Sequence, residues 1–450
     1  MAKGKSMDML HGPLLGKLML LAVPIVLSSI LQQLFNTADI AVAGKFISSG
    51  AMAAVGSNAP VISLFISLVV GLSIGANVLV AAKIGQKKYD AVGTSVQTSM
   101  SIALVVGVAM VFLGLLIARP ILELMAAPAD IIDMAELYLQ IYFLGMPFIM
   151  IYNFGSAVLR ADGDSRRPLY CLVVSSLSNL VMDLLFSAVL PWGIAGIALA
   201  TTIANGISAG LILYYLVKEK GYLHLSLRDF QLERRSIRQI VSIGGPAGIQ
   251  GVVFSLSNVV IQAAINSFGS DAVAGVSAAL NFEFFTYYIV SGFAQAAVTF
   301  TSQNYAVRNF ARCREIFRLS QIAAIGFTAI LSGVFIFFRY PLLHVFTVDA
   351  GVMDYALIRL LIVTTLEFMT SLYEIPGSCL RGMGVSLLPA IETLFGSCLL
   401  RIAFILTIFW RMPDFTLLTV IYPITWLITG AVVMCSYFVI RRRLLAVRQA

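Results

Sequence analysis

Charged residues are scarce in this sequence. Of 450 residues, only 12% are Asp, Glu, Lys or Arg, whereas 59% are hydrophobic. An average soluble domain carries about 25% charged residues, so a water-facing shell cannot cover this much apolar surface. The composition excludes an ordinary soluble protein and indicates that a lipid bilayer solvates most of the chain.

Cysteine and histidine are also rare. The 5 cysteines are scattered, odd in number and without a CxxC or zinc-ligand spacing, so they predict neither a disulfide framework nor a zinc site. His11, His224 and His344 are far apart, and no HExxH, GxSxG or glycine-rich phosphate loop occurs. We therefore expect no enzyme and no cofactor, and an intramembrane enzyme is kept as an alternative of another class.

Long apolar stretches dominate the chain from Leu14 to Ile440, and none alternates polar and apolar residues as a transmembrane barrel would. We expect an all-α polytopic membrane protein with twelve transmembrane helices. The spans are predicted near 14–43, 51–82, 91–118, 132–160, 168–190, 193–217, 239–266, 272–306, 315–338, 352–380, 386–410 and 415–440. The leading segment 1–11 carries Lys3 and Lys5 without a cleavage site, and we expect it to be retained.

Lys and Arg residues concentrate in alternate loops. They occur before the first span, after the last, and in the segments 83–88, 160–167, 218–238 and 308–318. Positive residues are held on the cytoplasmic side during insertion, which predicts a protein of the cytoplasmic (inner) membrane with both termini cytoplasmic. The net charge of +8 then reflects topology. No basic patch lies on a soluble domain, so we expect no nucleic-acid partner.

The chain contains an internal repeat. Pro24 aligns with Pro246, and the segment 159–168 aligns with 380–389, at offsets of 222 and 221 residues. These matches predict two homologous six-helix bundles, 1–225 and 226–450, joined by a polar linker at about 218–239. Because each half has an even number of spans, both halves insert in one orientation, with a central cleft expected between them. Pro24 and Pro246 are predicted hinges, since proline frees helix carbonyls and allows a bend.

Ionisable residues at membrane depth mark candidate functional sites because burying them in lipid is costly. In the first half, Asp39 and Asp183 lie about 9 and 12 Å from the outer ends of spans 1 and 5, at 1.5 Å per residue. Thr201 and Thr202 on span 6 reach the same depth, and Asn179 shares a helix face with Asp183. We interpret these five residues as a cation-binding site for a proton or for sodium held at Asp39, Asn179 and Asp183. A hydrogen-bonded polar knot that fixes packing is the alternative.

The second half does not repeat this pair, since Ile261 occupies the position aligned with Asp39. Its buried acids are glutamates on spans 8 and 10, which could attract a cationic substrate or could pair with Arg359, Arg381 or Arg401. An asymmetric site follows. The candidate substrate-binding residues are Gln32, Asn36, Glu283, Glu367 and Glu374.

Several motifs resemble those of the multidrug and toxic compound extrusion (MATE) family, prokaryotic branch. The segment from Asn36-Thr-Ala-Asp39 to Ala-Ala-Val-Gly56 is similar to the family's first-helix signature, and the loop 160–168 and the Asn179 and Asp183 pair also match. The resemblance covers essentially the whole chain. It implies two six-helix bundles around a central cleft, export of drugs or organic cations in exchange for protons or sodium, and a family cation site at Asp39, Asn179, Asp183 and Thr201 or Thr202.

Other functions remain open at this point. A lipid-linked saccharide flippase of similar two-bundle build is expected to use several arginines to bind pyrophosphate. A passive channel is disfavoured because no filter-like segment is repeated. The expected partners are amphiphilic or cationic small molecules and the lipid bilayer, and we expect a monomer whose only required ion is the coupling H⁺ or Na⁺.

Overall fold

The fold was obtained as a computed structural model, which describes residues 7–125, 128–190 and 192–446. Within those residues the chain forms helices and connecting turns, with no β-strand. Among these described residues, ten helices are long and apolar enough to cross a membrane. They are spans 1 (Leu14–Phe46), 2 (Ser49–Gly85), 3 (Tyr89–Leu124), 5 (Arg166–Val189), 6 (Gly193–Lys218), 7 (Arg234–Asn266), 8 (Ser270–Ala306), 9 (Phe310–Phe337), 11 (Leu387–Phe409) and 12 (Phe415–Arg443). Four residues used in the predictions lie outside the described residues. They are Lys3, Lys5 and Arg448, which served to predict the orientation, and Pro191, which marked the outer end of span 5.

The two remaining predicted spans are broken helices. Span 4 consists of Ile132–Leu144 and Met146–Ala161, bent by 46° across Gly145. Pro147, which has no N–H to donate, stands in the first turn of the second segment, where a helix tolerates it. Span 10 runs over 350–382 and changes helix type along its length. Among the described residues, span 4 raises the number of membrane-length apolar spans to eleven, and span 10 takes the place of the twelfth predicted span.

Span 10 and its neighbours contain tight and wide helical turns beside buried charges. Arg359 ends the α-helix Ala350–Arg359 and is followed by a π-helical turn at Leu360–Thr364, and Glu367 opens a 3₁₀ turn at Glu367–Thr370. The span then resumes as the α-helix Ser371–Gly382. Such turns interrupt the regular hydrogen-bond ladder and are frequent at functional sites.

The same feature recurs in spans 5 and 11. Asp183 lies two residues before the π-helical turn Leu185–Val189 that ends span 5. Arg401 lies between two π-helical turns of span 11, Leu394–Leu399 and Ile405–Phe409. Irregular backbone therefore accompanies a buried charge in both halves of the sequence.

Pro24 and Pro246 lie inside unbroken helices. Span 1 continues from Leu14 to Phe46 through Pro24, and span 7 continues from Arg234 to Asn266 through Pro246. Their role as hinges stays a prediction.

Backbone conformation repeats along the chain. Lys87 and Arg308, 221 positions apart, both adopt left-handed φ values, 58° and 59°. Gly163 and Gly384, also 221 apart, have φ values of 90° and 86°. A positive φ is uncommon for a residue other than glycine, so its recurrence at one offset is a structural counterpart of the sequence repeat.

Contacts divide the chain into two compact units. Unit 1 comprises Met1–Asp8 and Leu27–Gly248, and unit 2 comprises Met9–Val26 and Ile249–Ala450. Unit 1 thus extends beyond the predicted linker to the first half of span 7, and unit 2 includes the start of span 1. The bundle boundaries 1–225 and 226–450 stay a prediction.

Within unit 1, glycines allow spans 2 and 7 to touch backbone to backbone. A Cβ placed on Gly71 would lie 2.2 Å from the Gly248 amide nitrogen, and one on Gly75 would lie 2.3 Å from the Ile240 carbonyl oxygen. Gly244 faces the Gly71 carbonyl oxygen at 2.8 Å from its own hypothetical Cβ. Small residues four apart permit this close approach in membrane helices.

The segment after span 6 is hydrogen-bonded to the loop between spans 4 and 5 and to the first turn of span 5. The Tyr222 hydroxyl donates to Asp162 Oδ1 at 2.5 Å, and the Arg167 guanidinium donates to Glu219 at 2.8 Å. The Met7 amide donates to the Asp162 carbonyl oxygen at 3.2 Å. Burial raises the pKa of Asp162 to about 6, and the hydrogen bond from Tyr222 opposes that rise.

Candidate functional site

Asp39 and Asp183 come together in unit 1. Asp39 is buried on span 1 and Asp183 on span 5, and their carboxyl groups lie close enough to interact electrostatically. Two carboxyl groups repel when both are ionised, so a proton or a cation between them would stabilise the pair. The pairing of two acids, predicted from their depth, is the centre of the candidate site.

Each acid of this pair is hydrogen-bonded to a neighbouring side chain. The Thr201 hydroxyl of span 6 lies 3.1 Å from Asp39 Oδ2, and the Asn179 amide nitrogen donates to Asp183 Oδ2 at 3.1 Å. The Thr201 hydroxyl also lies 3.1 Å from the Ile197 carbonyl oxygen, so its single proton is shared between two acceptors. Spans 1, 5 and 6 therefore supply the site.

Each carboxyl group keeps one oxygen without a protein donor. No N–H or O–H of the described residues reaches the buried Oδ1 atom of Asp39 or of Asp183. A buried oxygen without a donor is costly, and a proton shared between the two acids would satisfy both. A sodium ion would instead need several oxygen ligands, for which the two carboxylates, the Asn179 amide oxygen and the Thr201 hydroxyl are the nearest candidates.

Two tyrosines of span 4 complete the surroundings and were not predicted from the sequence. Tyr138 lies beside Thr201, and Tyr138 and Tyr142 stack with ring centroids 6.4 Å apart. Both rings are buried close enough to Asp39 to interact with its charge. Their spacing of four residues, which places both rings on one face of the helix, was the signal in the sequence.

Other candidates of the first half lie apart from the two acids. The Thr202 hydroxyl donates to the Ile141 carbonyl oxygen at 3.0 Å, which ties span 6 to span 4 and turns it away from the carboxyl pair. Gln32 and Asn36 are exposed positions of span 1, one turn apart. The structure therefore brings Asp39, Asn179, Asp183 and Thr201 together, and leaves Thr202, Gln32 and Asn36 outside that cluster.

In unit 2, Glu283 is paired with an arginine. Arg359 Nε and Nη2 donate to the two Glu283 carboxylate oxygens at 2.7 and 2.8 Å. Both side chains are buried, and the Arg359 guanidinium also lies 4.8 Å from the centroid of the Tyr422 ring. The bidentate geometry is that of a strong, oriented ion pair, so this glutamate already has a cation as its partner.

The two glutamates of span 10, Glu367 and Glu374, have weaker partners than Glu283 of span 8. The Tyr287 hydroxyl lies 3.4 Å from Glu374 Oε1, and Glu374 interacts electrostatically with Arg381. Glu367 is buried and lies close enough to Arg359 and Arg401 to feel their charge. Within the described residues, no group of three or more His, Cys, Asp or Glu side chains is placed to hold a metal ion.

A family model matches both halves of the chain. The MatE model aligns with residues 24–185 and again with residues 246–407. The two matched segments begin at Pro24 and Pro246, which confirms the internal repeat predicted from the sequence.

Known proteins give the same assignment. The chain is 26% identical over 388 residues to the probable multidrug resistance protein YoeA of Bacillus subtilis, covering 84% of this chain and 83% of that one. It is 31% identical over 276 residues to the probable multidrug resistance protein YpnP of the same organism, covering 61% of each chain.

A crystal structure described as a MATE in the bent conformation superposes with a TM-score of 0.91 at 21% identity, over 99% of this chain and 100% of that one. That likeness confirms the predicted all-α fold of twelve transmembrane helices in two bundles. The two MatE matches and the multidrug resistance relatives show that the protein is a transporter and not an enzyme. The chain belongs to the MatE family of multipass membrane transporters.

Proposed function

We propose that this protein is a cation-coupled antiporter that exports amphiphilic or cationic small molecules across the cytoplasmic membrane, with Asp39 and Asp183 as its coupling site. The observation that carries the proposal is that two buried carboxyl groups lie close enough to interact, with Thr201 and Asn179 hydrogen-bonded to them. A group that must gain and lose a cation during transport is expected at membrane depth, where any other use of a carboxylate is costly. Relatives named as probable multidrug resistance proteins support export of drug-like molecules.

A proton is the coupling ion that the contacts favour. The neighbouring Thr201 and Asn179 side chains both donate hydrogen bonds to the acids. They therefore direct hydrogen atoms, and not oxygen ligands, toward the carboxylate oxygens that a metal cation would bind. A proton between the two carboxyl groups needs no further oxygen ligand. Sodium would need the Asn179 amide and the Thr201 hydroxyl to present their oxygens instead.

Coupling follows if the cation and the exported molecule prefer different conformations. Protonation of the pair would remove the repulsion between spans 1 and 5, whereas loss of the proton would favour their separation. A ligand shifts such an equilibrium only by its difference in affinity for the two states, so exchange requires that the exported molecule bind better when the pair is deprotonated. Pro24, within span 1, is the proposed position of the bend. In this proposal both termini are cytoplasmic and the protein acts as a monomer.

Dye efflux from proteoliposomes tests this function. The purified protein is reconstituted with a fluorescent cationic dye, and efflux is followed under an imposed proton gradient or an imposed sodium gradient. We expect efflux to respond to the proton gradient, and Asp39→Asn or Asp183→Asn to abolish that response because the pair can no longer release and regain a shared proton. The matched control is Asp130→Asn, the same substitution at an exposed loop position.

The two gradients and the variants separate the alternatives. Efflux driven only by sodium would replace the proton by sodium as coupling ion. Efflux unchanged in both Asp39→Asn and Asp183→Asn would overturn the assignment of the coupling site. No response of the wild type to either gradient would overturn antiport and favour a flippase or a channel.

A further inference from the structure

Arg401, on span 11, is a buried cation without an ionic partner. Its side chain is 1% exposed, its Nε donates to the Thr425 hydroxyl at 2.9 Å, and its Nη2 has no hydrogen-bond partner among the described residues. No carboxylate oxygen of the described chain lies within 4.0 Å of it, in contrast to Arg359. A guanidinium stays protonated in proteins, so this charge cannot be removed by loss of a proton.

Aromatic rings surround this guanidinium. Its Cζ lies 4.4 Å from the centroid of the Tyr422 ring and 5.9 Å from those of Phe254 and Trp426. Cation–π contacts of this kind contribute about 0.5 to 2 kcal/mol each, less than the several kcal/mol needed to remove an ion from water. The rings therefore offset only part of the free-energy cost of burying this charge. A bound anion would offset the rest.

The Glu283 carboxylate cannot fill this role while it binds another arginine. Both of its oxygens are engaged by Arg359, which shares the Tyr422 ring with Arg401. Glu367 is near both arginines but lies beyond ion-pairing distance of each. Unit 2 thus holds one arginine that is satisfied internally and a neighbouring one that is not.

The helix around Arg401 is irregular on both sides. The π-helical turns Leu394–Leu399 and Ile405–Phe409 bracket the short α-helix Leu400–Phe404 that carries it. Single π-helical turns inside α-helices are frequent at functional sites. Arg401 thus lies on a segment whose backbone hydrogen-bond ladder is interrupted on both sides.

We propose that Arg401 is the recognition site for an anionic aromatic ligand, whose carboxylate binds the free side of the guanidinium while its ring packs against Tyr422 and Trp426. A planar carboxylate matches the fork of guanidinium donors, and aromatic walls favour a flat apolar body. The inference rests on the proposed export function only for its physiological role, since binding is measured without any gradient. It extends the range of exported molecules from cations to aromatic acids.

Equilibrium binding to the full-length protein in nanodiscs tests the site. The probes are naphthalene-2-carboxylate and its neutral isostere naphthalene-2-carboxamide, followed by quenching of tryptophan fluorescence, because Trp426 lies beside the guanidinium. We expect the acid to bind at least tenfold more tightly than the amide to wild type. Arg401→Gln should remove that preference while leaving amide binding unchanged, and Arg401→Lys should retain part of it.

Two further measurements keep the test decisive. Arg411→Gln, an equal change at an exposed position ten residues on, should leave the preference intact, and Trp426→Phe should remove the quenching signal. Ligand-free Arg401→Gln is expected to melt at or above the wild-type temperature, since it loses an uncompensated buried charge.

An acid preference that survives Arg401→Gln overturns the proposal, and so does the lack of any preference in wild type. A lowered melting temperature in Arg401→Gln together with an unchanged preference identifies a purely structural arginine. Failure of the export function would appear instead in the dye assay and would leave these binding ratios untouched.

Discussion

The Thr201 hydroxyl and Asp39 Oδ2 lie 3.1 Å apart, although 162 residues separate them in the chain. This contact joins span 6 to the acid of span 1, and Tyr138 of span 4 lies beside the same threonine. Thr201 is therefore positioned to orient the Asp39 carboxyl group. A change at Thr201 is expected to alter the coupling site without removing either acid.

Thr201→Val is expected to impair proton-driven efflux, whereas Thr201→Ser is expected to keep most of it. Valine preserves the shape of the side chain but removes the donor, at a cost of about 1 kcal/mol, which corresponds to roughly a fivefold effect. The measurement is the pH dependence of dye efflux in proteoliposomes. Equal efflux profiles for wild type and Thr201→Val would contradict a role for this hydroxyl, and Thr202→Val is the neighbouring control.

Breaking the Glu283 and Arg359 pair is expected to destabilise the protein strongly. Glu283→Gln leaves the Arg359 guanidinium buried with a neutral partner, and removal of one member of a buried pair costs about 3 to 5 kcal/mol. The melting temperature of the purified protein should fall accordingly. The double variant Glu283→Gln/Arg359→Gln removes both charges and should recover much of the loss, so a double variant less stable than Glu283→Gln would contradict this account.

Gly71→Ala is expected to lower the melting temperature by several degrees. The new methyl group would lie 2.2 Å from the backbone of Gly248, and two backbones cannot yield to it as a flexible side chain could. Gly56→Ala is the matched control on the same helix, because nothing lies within 4 Å of its hypothetical Cβ. A similar effect of both substitutions would show that helix propensity, and not the contact between spans 2 and 7, determines the result.

Asp162 is expected to make stability depend on pH between about 4 and 6. Its pKa is raised by burial from the ordinary 3.8 to about 6, so across this interval the folded protein binds more protons than the unfolded chain. Stability from this group is therefore greatest at low pH and falls as the pH rises to 6. Asp162→Asn resembles the protonated form, so its melting temperature should gain on that of wild type over pH 4 to 6 and run parallel above pH 7.

The control for this pH effect is Asp130→Asn, which changes an exposed aspartate to asparagine in another loop. Its difference from wild type should stay constant over the same range. A constant difference for Asp162→Asn as well would contradict the effect of burial on this carboxyl group.

The sequence allowed much of the carboxyl site to be predicted. Helical rise placed Asp39 and Asp183 at one depth, and a spacing of four residues placed Asn179 on the face of Asp183, as the contact between them confirms. Depth could not separate Thr201 from Thr202, because adjacent helical residues differ by only about 1.5 Å along the helix axis. They differ instead by about 100° in the direction in which their side chains point. Only the packing of span 6 against spans 1 and 4 decides which hydroxyl reaches the acid.

The second half was less predictable. The pairing of Glu283 with Arg359 depends on the relative rotation of spans 8 and 10, which periodicity does not fix, and three arginines were equal candidates as partners. Span 10 was expected to be one helix over 352–380, but no pattern of prolines or glycines foretells its π-helical and 3₁₀ turns. Likewise, the two tyrosines of span 4 resemble ordinary packing residues until their neighbours are known.

Lys87 and Arg308 share one backbone geometry although neither is a glycine. The backbone conformation of this turn is the same in both repeats, although the side chains around it differ. The practical consequence is a matched pair of attachment points: both residues are exposed, so a single cysteine and a spectroscopic label placed at either one starts from the same local frame. Differences in label behaviour between the two would then report the divergence of the duplicated halves themselves.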